Sequence, residues 1–179
     1  MSRSGCIYSV LTALALVWSF SSDGHVRAQG LLDDMIDGFV EATAPALQKA
    51  IESSRDDALS AGVHPIPPTI RQKLEGFVDG EILDVARYRV GGGGELSLQT
   101  NTFRLGAAGA ITLDYVIVFA HEDDALHNEA GWVHELTHVR QYRDWGVRGF
   151  ATRYIRSSSS VEQEAYDAEA RYQAWAGRE

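Results

Sequence analysis

The sequence predicts an α+β fold, with helices at both ends of the chain and a short, mainly antiparallel sheet between them. Three observations lead to this prediction. Apolar residues recur at helical spacing near the N-terminus, strand-like apolar runs fill residues 81–119, and helical spacing returns after residue 124. A chain of 179 residues with an N-terminal signal removed suits one domain with a single core.

Residues 1–28 have the pattern of a secretory signal peptide. Arg3 supplies positive charge, residues 10–18 (VLTALALVW) form an apolar run, and residues 26–28 (VRA) offer small residues at signal-peptidase spacing. The run is too short for a transmembrane anchor, which needs about 20 residues. We expect cleavage after about Ala28 and a periplasmic or secreted bacterial protein with no stable membrane insertion.

The cysteine count and the net charge exclude several classes of function. Cys6, the single cysteine, lies in the predicted signal peptide, so the mature chain would have no disulfide, Cys-based zinc finger or thiol nucleophile. The formal net charge is −9 at pH 7. A chain this acidic lacks the basic surface that nonspecific nucleic-acid binding needs, so we expect no nucleic-acid partner.

Residues 29–64 predict N-terminal amphipathic helices. Apolar residues recur at helical spacing up to Pro45, where we expect a break, and the series resumes beyond it and ends near Gly62. The pattern is typical of helices packed on the domain, and an arm that binds a partner or covers an active site is the alternative. Pro68 can then start a short helix.

Strand patterns follow in residues 81–119. We expect one strand around residues 82–90, a flexible turn at the four glycines 91–94 and another strand within residues 96–105. The strongest strand signal is the apolar run at residues 111–119. No Lys-Ser or Lys-Thr follows the glycines, so a hairpin or mobile loop is favoured over a phosphate-binding loop.

The segment that specifies a chemistry is HELTH at residues 134–138, within a predicted helix over residues 124–143. Residues four apart share a helix face, so His134 and His138 can present ring nitrogens to one zinc ion. Glu135 would lie beside a zinc-activated water as its general base. This arrangement is the core of a zinc hydrolase.

The boundaries of this helix and its successor follow from capping residues. We expect Asp123 or Asp124 to cap the HELTH helix and Gly146 to follow its end. A second helix over residues 161–170 would open after the serine run at 157–160, which can cap it. The two helices would pack against each other.

A catalytic zinc needs a third protein ligand and an open position for water. Glu162, in the second helix, is a candidate because its distance from His138 along the chain leaves room for a connecting segment. Glu164 and Glu169 are alternatives. A helix turns by about 100° per residue, so Glu164 faces well away from Glu162 and only one of the two can reach the metal.

Three stretches resemble one bacterial family: HELTHVRQY at residues 134–142, AITLDYVIVF at 110–119 and EQEAY at 162–166. This zincin-like family was catalogued as a domain of unknown function and later called the core domain of extracellular contractile injection systems. It is distantly similar to gluzincin metallopeptidases. The resemblance covers roughly residues 65–175 and implies a zincin-like metallohydrolase domain over residues 65–179, with the strand before the zinc helix lying across the site and pairing with extended substrate.

The resemblance also implies roles for single residues. His134, His138 and Glu162 would be the zinc ligands, and Glu135 the catalytic base. In the family the ligand glutamate begins a Glu-x-x-Ala-Asp pattern, and this chain has Tyr166 where the Asp would fall.

The carboxylate that would orient a ligand histidine is then missing, or is replaced by the Tyr166 hydroxyl or by Gln141. Gln141 lies one helical turn beyond His138 on the zinc-facing side, where we expect it to contact a ligand or the substrate, with a packing role as the alternative. Four side chains are candidates for the donor that stabilises an oxyanion: Tyr154, Tyr166, His127 and His121.

The sequence as a whole predicts an exported metallopeptidase with Zn²⁺ as cofactor and a peptide or protein as substrate. The alternative is a catalytically inactive, zinc-stabilised interaction domain that keeps the metal for folding. Glu135 favours the enzyme, because a structural site needs no base beside its ligands, whereas Tyr166 in place of Asp favours the alternative. Substrate identity and oligomeric state stay open.

Overall fold

The computed structural model describes residues 22–91 and 109–178 of the chain. The chain divides into two compact units, Met1–Met35 and Ile36–Glu179. The first contains the beginning of helix α1, and the second contains the rest of α1 and every other described element. The elements in chain order are α1 (Ser22–Ser60), β1 (His64–Pro65), α2 (Pro68–Leu74), α3 (Gly80–Val85), β2 (Arg87–Val90), β3 (Ala110–Leu113), β4 (Val116–Phe119), α4 (Glu122–His127) and α5 (Glu129–Ala176).

The four strands form one small mixed sheet in the order β1-β2-β4-β3. The β1–β2 and β3–β4 pairs are antiparallel, and the β2–β4 pair is parallel. Together with the helices at both ends, this sheet confirms the predicted α+β class. Among the described residues, β3 forms one edge of the sheet.

Strand β4 is the centre of the core, and all four of its residues are buried. Its alternating side chains face two apolar clusters. Ile117 and Phe119 pack with residues of α2, α3 and the start of α5, including the fully buried Trp132. Val116 and Val118 pack with residues of α1 and with Phe150. Helices therefore cover both faces of the sheet.

Helix α1 is continuous from Ser22 to Ser60, so the break expected at Pro45 is wrong. Ala44, Ile51 and Ala58 are buried on both sides of the proline and belong to one apolar cluster. Packing on a common surface holds the two halves in line and offsets the hydrogen bond that Pro45 cannot donate.

Residues 82–90 are only partly a strand. Residues 80–85 form the short helix α3, capped by Asp79, whose side chain accepts a 3.0 Å hydrogen bond from the Glu81 N–H. The strand begins at Arg87. A run of six residues is too short for hydrophobic spacing to separate helix from strand, which explains the error. The strand expected within residues 96–105 lies outside the described residues.

The run at residues 111–119 is a tight hairpin instead of one strand. The chain reverses at Asp114, which has a φ of 62° in the left-handed region. Aspartate tolerates this conformation better than most residues do. Arg55 of α1 also pairs with the Asp114 carboxylate at 2.9 Å and so holds the turn. The apolar residues on both sides of this short turn read as one strand, so the hydrophobic pattern does not reveal it.

Asn128 separates α4 from α5 and caps α5, because its side chain accepts a 2.9 Å hydrogen bond from the Gly131 N–H. The expected caps, Asp123 and Asp124, lie in the first turn of α4 instead. Asp and Asn are equally good caps, so the sequence does not distinguish these positions. Among the helices of the described residues, none combines the length and hydropathy that a membrane span requires.

Two residues inside α5 leave helical geometry: Gly146, with φ 68° and ψ 164°, and Ser157, with φ −160° and ψ 80°. The Ser157 Oγ accepts a 3.4 Å hydrogen bond from the Ser160 N–H, as expected for a cap within the serine run. The two breaks divide α5 into first, second and third segments at residues 129–145, 147–156 and 158–176.

Gly146→Ala tests the first break. No other atom lies within 4 Å of an added Cβ, but the positive φ strains any side chain there, and we expect the variant to lose about 1–3 kcal/mol of unfolding free energy. Gly38→Ala in α1 is the matched control, because its surroundings are also open and its φ is ordinary. The control should be neutral or up to about 1 kcal/mol more stable in urea unfolding. Equal stability of the two variants would contradict the prediction.

Candidate metal centre

Three side chains of α5 converge on one point. His134 and His138 lie one turn apart on the first segment, and Glu162 lies in the third. The Nε2 atoms of the two histidines are 3.3 Å apart. The Glu162 Oε2 lies 3.3 Å from the His134 Nε2 and 3.5 Å from the His138 Nε2. All donor atoms fall within 4.8 Å of one another, so this cluster could hold a metal ion.

Gln141 fixes the orientation of His138. Its Oε1 lies 2.8 Å from the His138 Nδ1, and an amide oxygen can only accept, so the Nδ1 carries the proton. When His138 is neutral, its Nε2 then carries the lone pair that can face the cluster.

The other end of the Gln141 amide joins the first and third segments. Its Nε2 donates to the Val161 carbonyl at 3.1 Å and to the Glu164 Oε2 at 2.9 Å. Arg140 forms an ion pair with the same carboxylate. Glu164 therefore lies outside the cluster and orients Gln141, whose side chain is fully buried. The structure therefore does not place Glu164 where an alternative metal ligand would have to lie.

His134 has a carboxylate behind it as well. The Glu169 Oε2 lies 3.8 Å from the His134 Nδ1, two turns along the helix from Glu162. Tyr166 packs its ring edge-on against His134, with 4.7 Å between ring centroids, and stays 56% exposed. Glu169 thus places a carboxylate near His134, at a distance longer than a hydrogen bond. Sequence reasoning considered Glu169 only as a ligand, and its seven-residue spacing from Glu162 places both side chains on one helix face.

Glu135 is buried beside the cluster, with 8% exposure. The Thr112 hydroxyl, from strand β3, lies 2.7 Å from its Oε2. Sequence reasoning missed Thr112. The available signal was one hydroxyl residue in an otherwise apolar strand, AITL.

Electrostatic interactions in the cluster favour a cation. Burial acts to raise the pKa of Glu162, but hydrogen bonds from His134 and His138 outweigh it and hold the pKa below its ordinary value. Burial acts to lower the pKa of His138, yet the bond to Glu162 and the charge of Glu135 raise it overall. Glu162 is therefore ionised at neutral pH, and its negative charge favours a cation in the cluster.

A cleft of about 710 Å³ contains the cluster. Leu47 and Ile51 of α1 line it together with Phe150 and Tyr154 of the second segment and the whole of strand β3. It is large enough for a short stretch of peptide. Helix α1 thus forms part of the cleft wall.

Of the four candidate oxyanion donors, the structure places two in the cleft and two outside it. Tyr154 and Tyr166 line the cleft. Burial, with the nearby Glu162 carboxylate, raises the pKa of Tyr154 to about 12, so this phenol stays protonated at neutral pH. His127 pairs with Asp123 on an exposed surface, and His121 is the exposed residue before α4. Neither histidine lines the cleft.

Residues 65–146 match the eCIS core domain family. No curated protein and no solved structure is significantly similar to the chain.

The eCIS core match covers the sheet from Pro65 onward, both histidines of the cluster and Glu135, but it ends at Gly146. Glu162 and the cleft-lining part of α1 lie outside it. The matched region therefore contains two donors of the cluster, and the third comes from the helical segment that follows it.

Gln141→Leu should weaken metal binding by about 10- to 100-fold, because it removes the acceptor that fixes the His138 tautomer. Gln163→Leu is the matched control, since among the described residues the Gln163 side chain donates to the exposed Asp167 and not to the cluster. Chelator competition on the two purified variants would measure the change. Equal affinities would show that the Gln141 amide has no part in preparing the site.

Proposed function

We propose that this chain is a zinc-dependent metallopeptidase, with zinc held by His134, His138 and Glu162 and with Glu135 as general base. One observation carries the proposal. Three donor atoms of the right types lie within 4.8 Å of one another, and the carboxylate of Glu135 lines the same cleft. A site that only stabilises a fold has no need of a further carboxylate beside its ligands.

The donor set fits zinc. Two imidazoles and one carboxylate are a common zinc triad in hydrolases. Donors about 2.0–2.1 Å from a tetrahedral zinc lie about 3.3 Å apart, and the three Nε2 and Oε2 atoms are separated by 3.3–3.5 Å. Harder ions such as Mg²⁺ prefer sites made of oxygen ligands. The residues present therefore support zinc over Mg²⁺.

Bound zinc supplies Lewis acidity, which lowers the pKa of a water and polarises the scissile carbonyl. The chain's residues handle the protons. Glu135 has one oxygen, Oε2, held by Thr112, and its Oε1 is the atom that accepts the proton of the attacking water. The same oxygen then delivers this proton to the leaving amide nitrogen. Tyr154 is a candidate donor to an oxyanion, because its hydroxyl stays protonated and lines the cleft; it would exchange its hydrogen bond to Glu162 for one to the oxyanion.

The edge of β3 supports an extended peptide as substrate. The Ala120 N–H bonds to the Gly109 carbonyl at 2.8 Å, and Ala110 and Thr112 are the next non-hydrogen-bonded positions opposite β4. Their main-chain groups therefore point away from β4; the Thr112 carbonyl accepts a hydrogen bond from the Tyr142 hydroxyl, so the Ala110 groups and the Thr112 N–H are the ones a peptide would use. A peptide could add there by main-chain hydrogen bonds and place its carbonyl beside the cluster.

Export is part of the proposal, and its support is the signal-like pattern of residues 1–28. Cleavage after Ala28 would remove the start of α1 and leave the buried stretch from Ala44 onward in place. The protein would then act in the periplasm or outside the cell.

A specific observation favours the second candidate, a zinc-stabilised interaction domain. The three donors come from two helical segments separated by breaks at Gly146 and Ser157, so bound zinc would cross-link them. Such a cross-link stabilises the fold whether or not the site is catalytic.

Glu135→Gln separates the two candidates. The enzyme proposal expects zinc content equal to that of the wild type and peptide hydrolysis reduced about 10²- to 10⁴-fold. Glu129→Gln on the same helix is the control, because Glu129 pairs with Lys73 at the surface and should keep full activity. Metal analysis and cleavage of a broad peptide library give the two readouts. A zinc-loaded wild type that cleaves nothing would leave the interaction domain as the function.

Glu162→Ala and Glu164→Ala test the third ligand as a matched pair. We expect Glu162→Ala to lose stoichiometric zinc after dialysis, since two imidazoles alone hold the ion weakly. Glu164→Ala should retain zinc, because its carboxylate contacts Arg140 and Gln141 instead of the cluster. Zinc retained by the first variant and lost by the second would move the ligand to Glu164.

A further inference from the structure

The contact between Thr112 and Glu135 links the sheet to the chemistry. Thr112 is 6% exposed and Glu135 is 8% exposed, so both side chains are nearly removed from water. The hydroxyl lies 2.7 Å from the Glu135 Oε2 and 3.2 Å from the Glu135 main-chain carbonyl. It has one proton to donate, and the shorter distance to the charged acceptor favours the carboxylate.

Thr112 is itself fixed from two sides. Its side chain is β-branched and therefore stiff about the first torsion angle. Its main-chain carbonyl accepts a 3.3 Å hydrogen bond from the Tyr142 hydroxyl, so the strand is tied to α5 two turns beyond Glu135. A donor held in this way can set the direction of the group it bonds to.

The carboxylate of Glu135 has two oxygens with different surroundings. Among the described residues, Thr112 is the side-chain donor that reaches Oε2. With that oxygen engaged, rotation of the carboxylate is restricted and Oε1 is left for the cleft. A proton acceptor misplaced by about 1 Å can cost about 100-fold in rate.

The geometry points to Thr112 as a positioning residue for the base: its hydroxyl holds the Glu135 carboxylate so that one defined oxygen accepts the proton. This inference rests on the proposed peptidase function. It assigns the edge strand a second role, because the residue whose main chain faces the substrate also orients the base through its side chain.

Three variants test it. Thr112→Val keeps the shape and removes the hydroxyl, and Thr112→Ser keeps the hydroxyl on a less restricted side chain. Thr137→Val is the matched control, since Thr137 is equally buried at 6% exposure but donates to the Val133 carbonyl within its own helix at 2.8 Å. All three would be compared as zinc-loaded proteins on a peptide that the wild type cleaves.

We expect Thr112→Val to lower kcat by about 10- to 100-fold with KM and zinc content unchanged. Thr112→Ser should recover most of the loss, and Thr137→Val should stay within about 2-fold of the wild type. A Thr112→Val variant as active as Thr137→Val would overturn the inference and leave the peptidase function standing. A wild type that is inert would overturn the proposed function and this role together.

A thermal-unfolding cycle examines the contact without an activity assay. Thr112→Val is made in the wild type and in Glu135→Ala, and the drop in Tm is compared between the two backgrounds. A smaller drop in Glu135→Ala supports a bond to the carboxylate. Equal drops would overturn it, because the hydroxyl would then serve only the main-chain carbonyl of residue 135.

Discussion

The amide of Gln141 is the interaction on which the site's construction depends. Its oxygen accepts a hydrogen bond from the His138 Nδ1–H, and its nitrogen donates hydrogen bonds to the third segment of α5. A buried amide is costly unless its polar atoms are bonded, so the first and third segments are held in the one arrangement that satisfies it. That arrangement also brings the carboxylate of Glu162 to the two histidines.

Among the described residues, the cleft around the cluster is lined by more carboxylates than Lys or Arg side chains. Glu135, Glu162 and Glu169 all lie beside His134 and His138 or line the same cleft. Hydrogen bonds from the two imidazoles hold the pKa of Glu162 down, and the bond to Glu162 with the charge of Glu135 raises the pKa of His138. A divalent cation at the centre would take over this role, and the metal and the protons therefore compete for the same site.

The sequence predicted the parts of this site that depend on local spacing. His134, Glu135 and His138 follow from the helix repeat, and Gln141 follows from its place one turn beyond His138. The hairpin at Asp114 and the helix α3 did not follow, because hydrophobic spacing over so few residues fits more than one structure. The Thr112 contact depends on how a strand meets a helix 23 positions away, and no local pattern encodes that meeting.

The order in which the donors emerge along the chain has a consequence for biosynthesis. His134 and His138 are synthesised before Glu162, and the breaks at Gly146 and Ser157 lie between them. A nascent chain that stops before Ser157 would present two of the three candidate donors, the two imidazoles. A metal bound at this cluster would therefore be held fully only once the last helical segment had docked, and its capture would report completion of the fold.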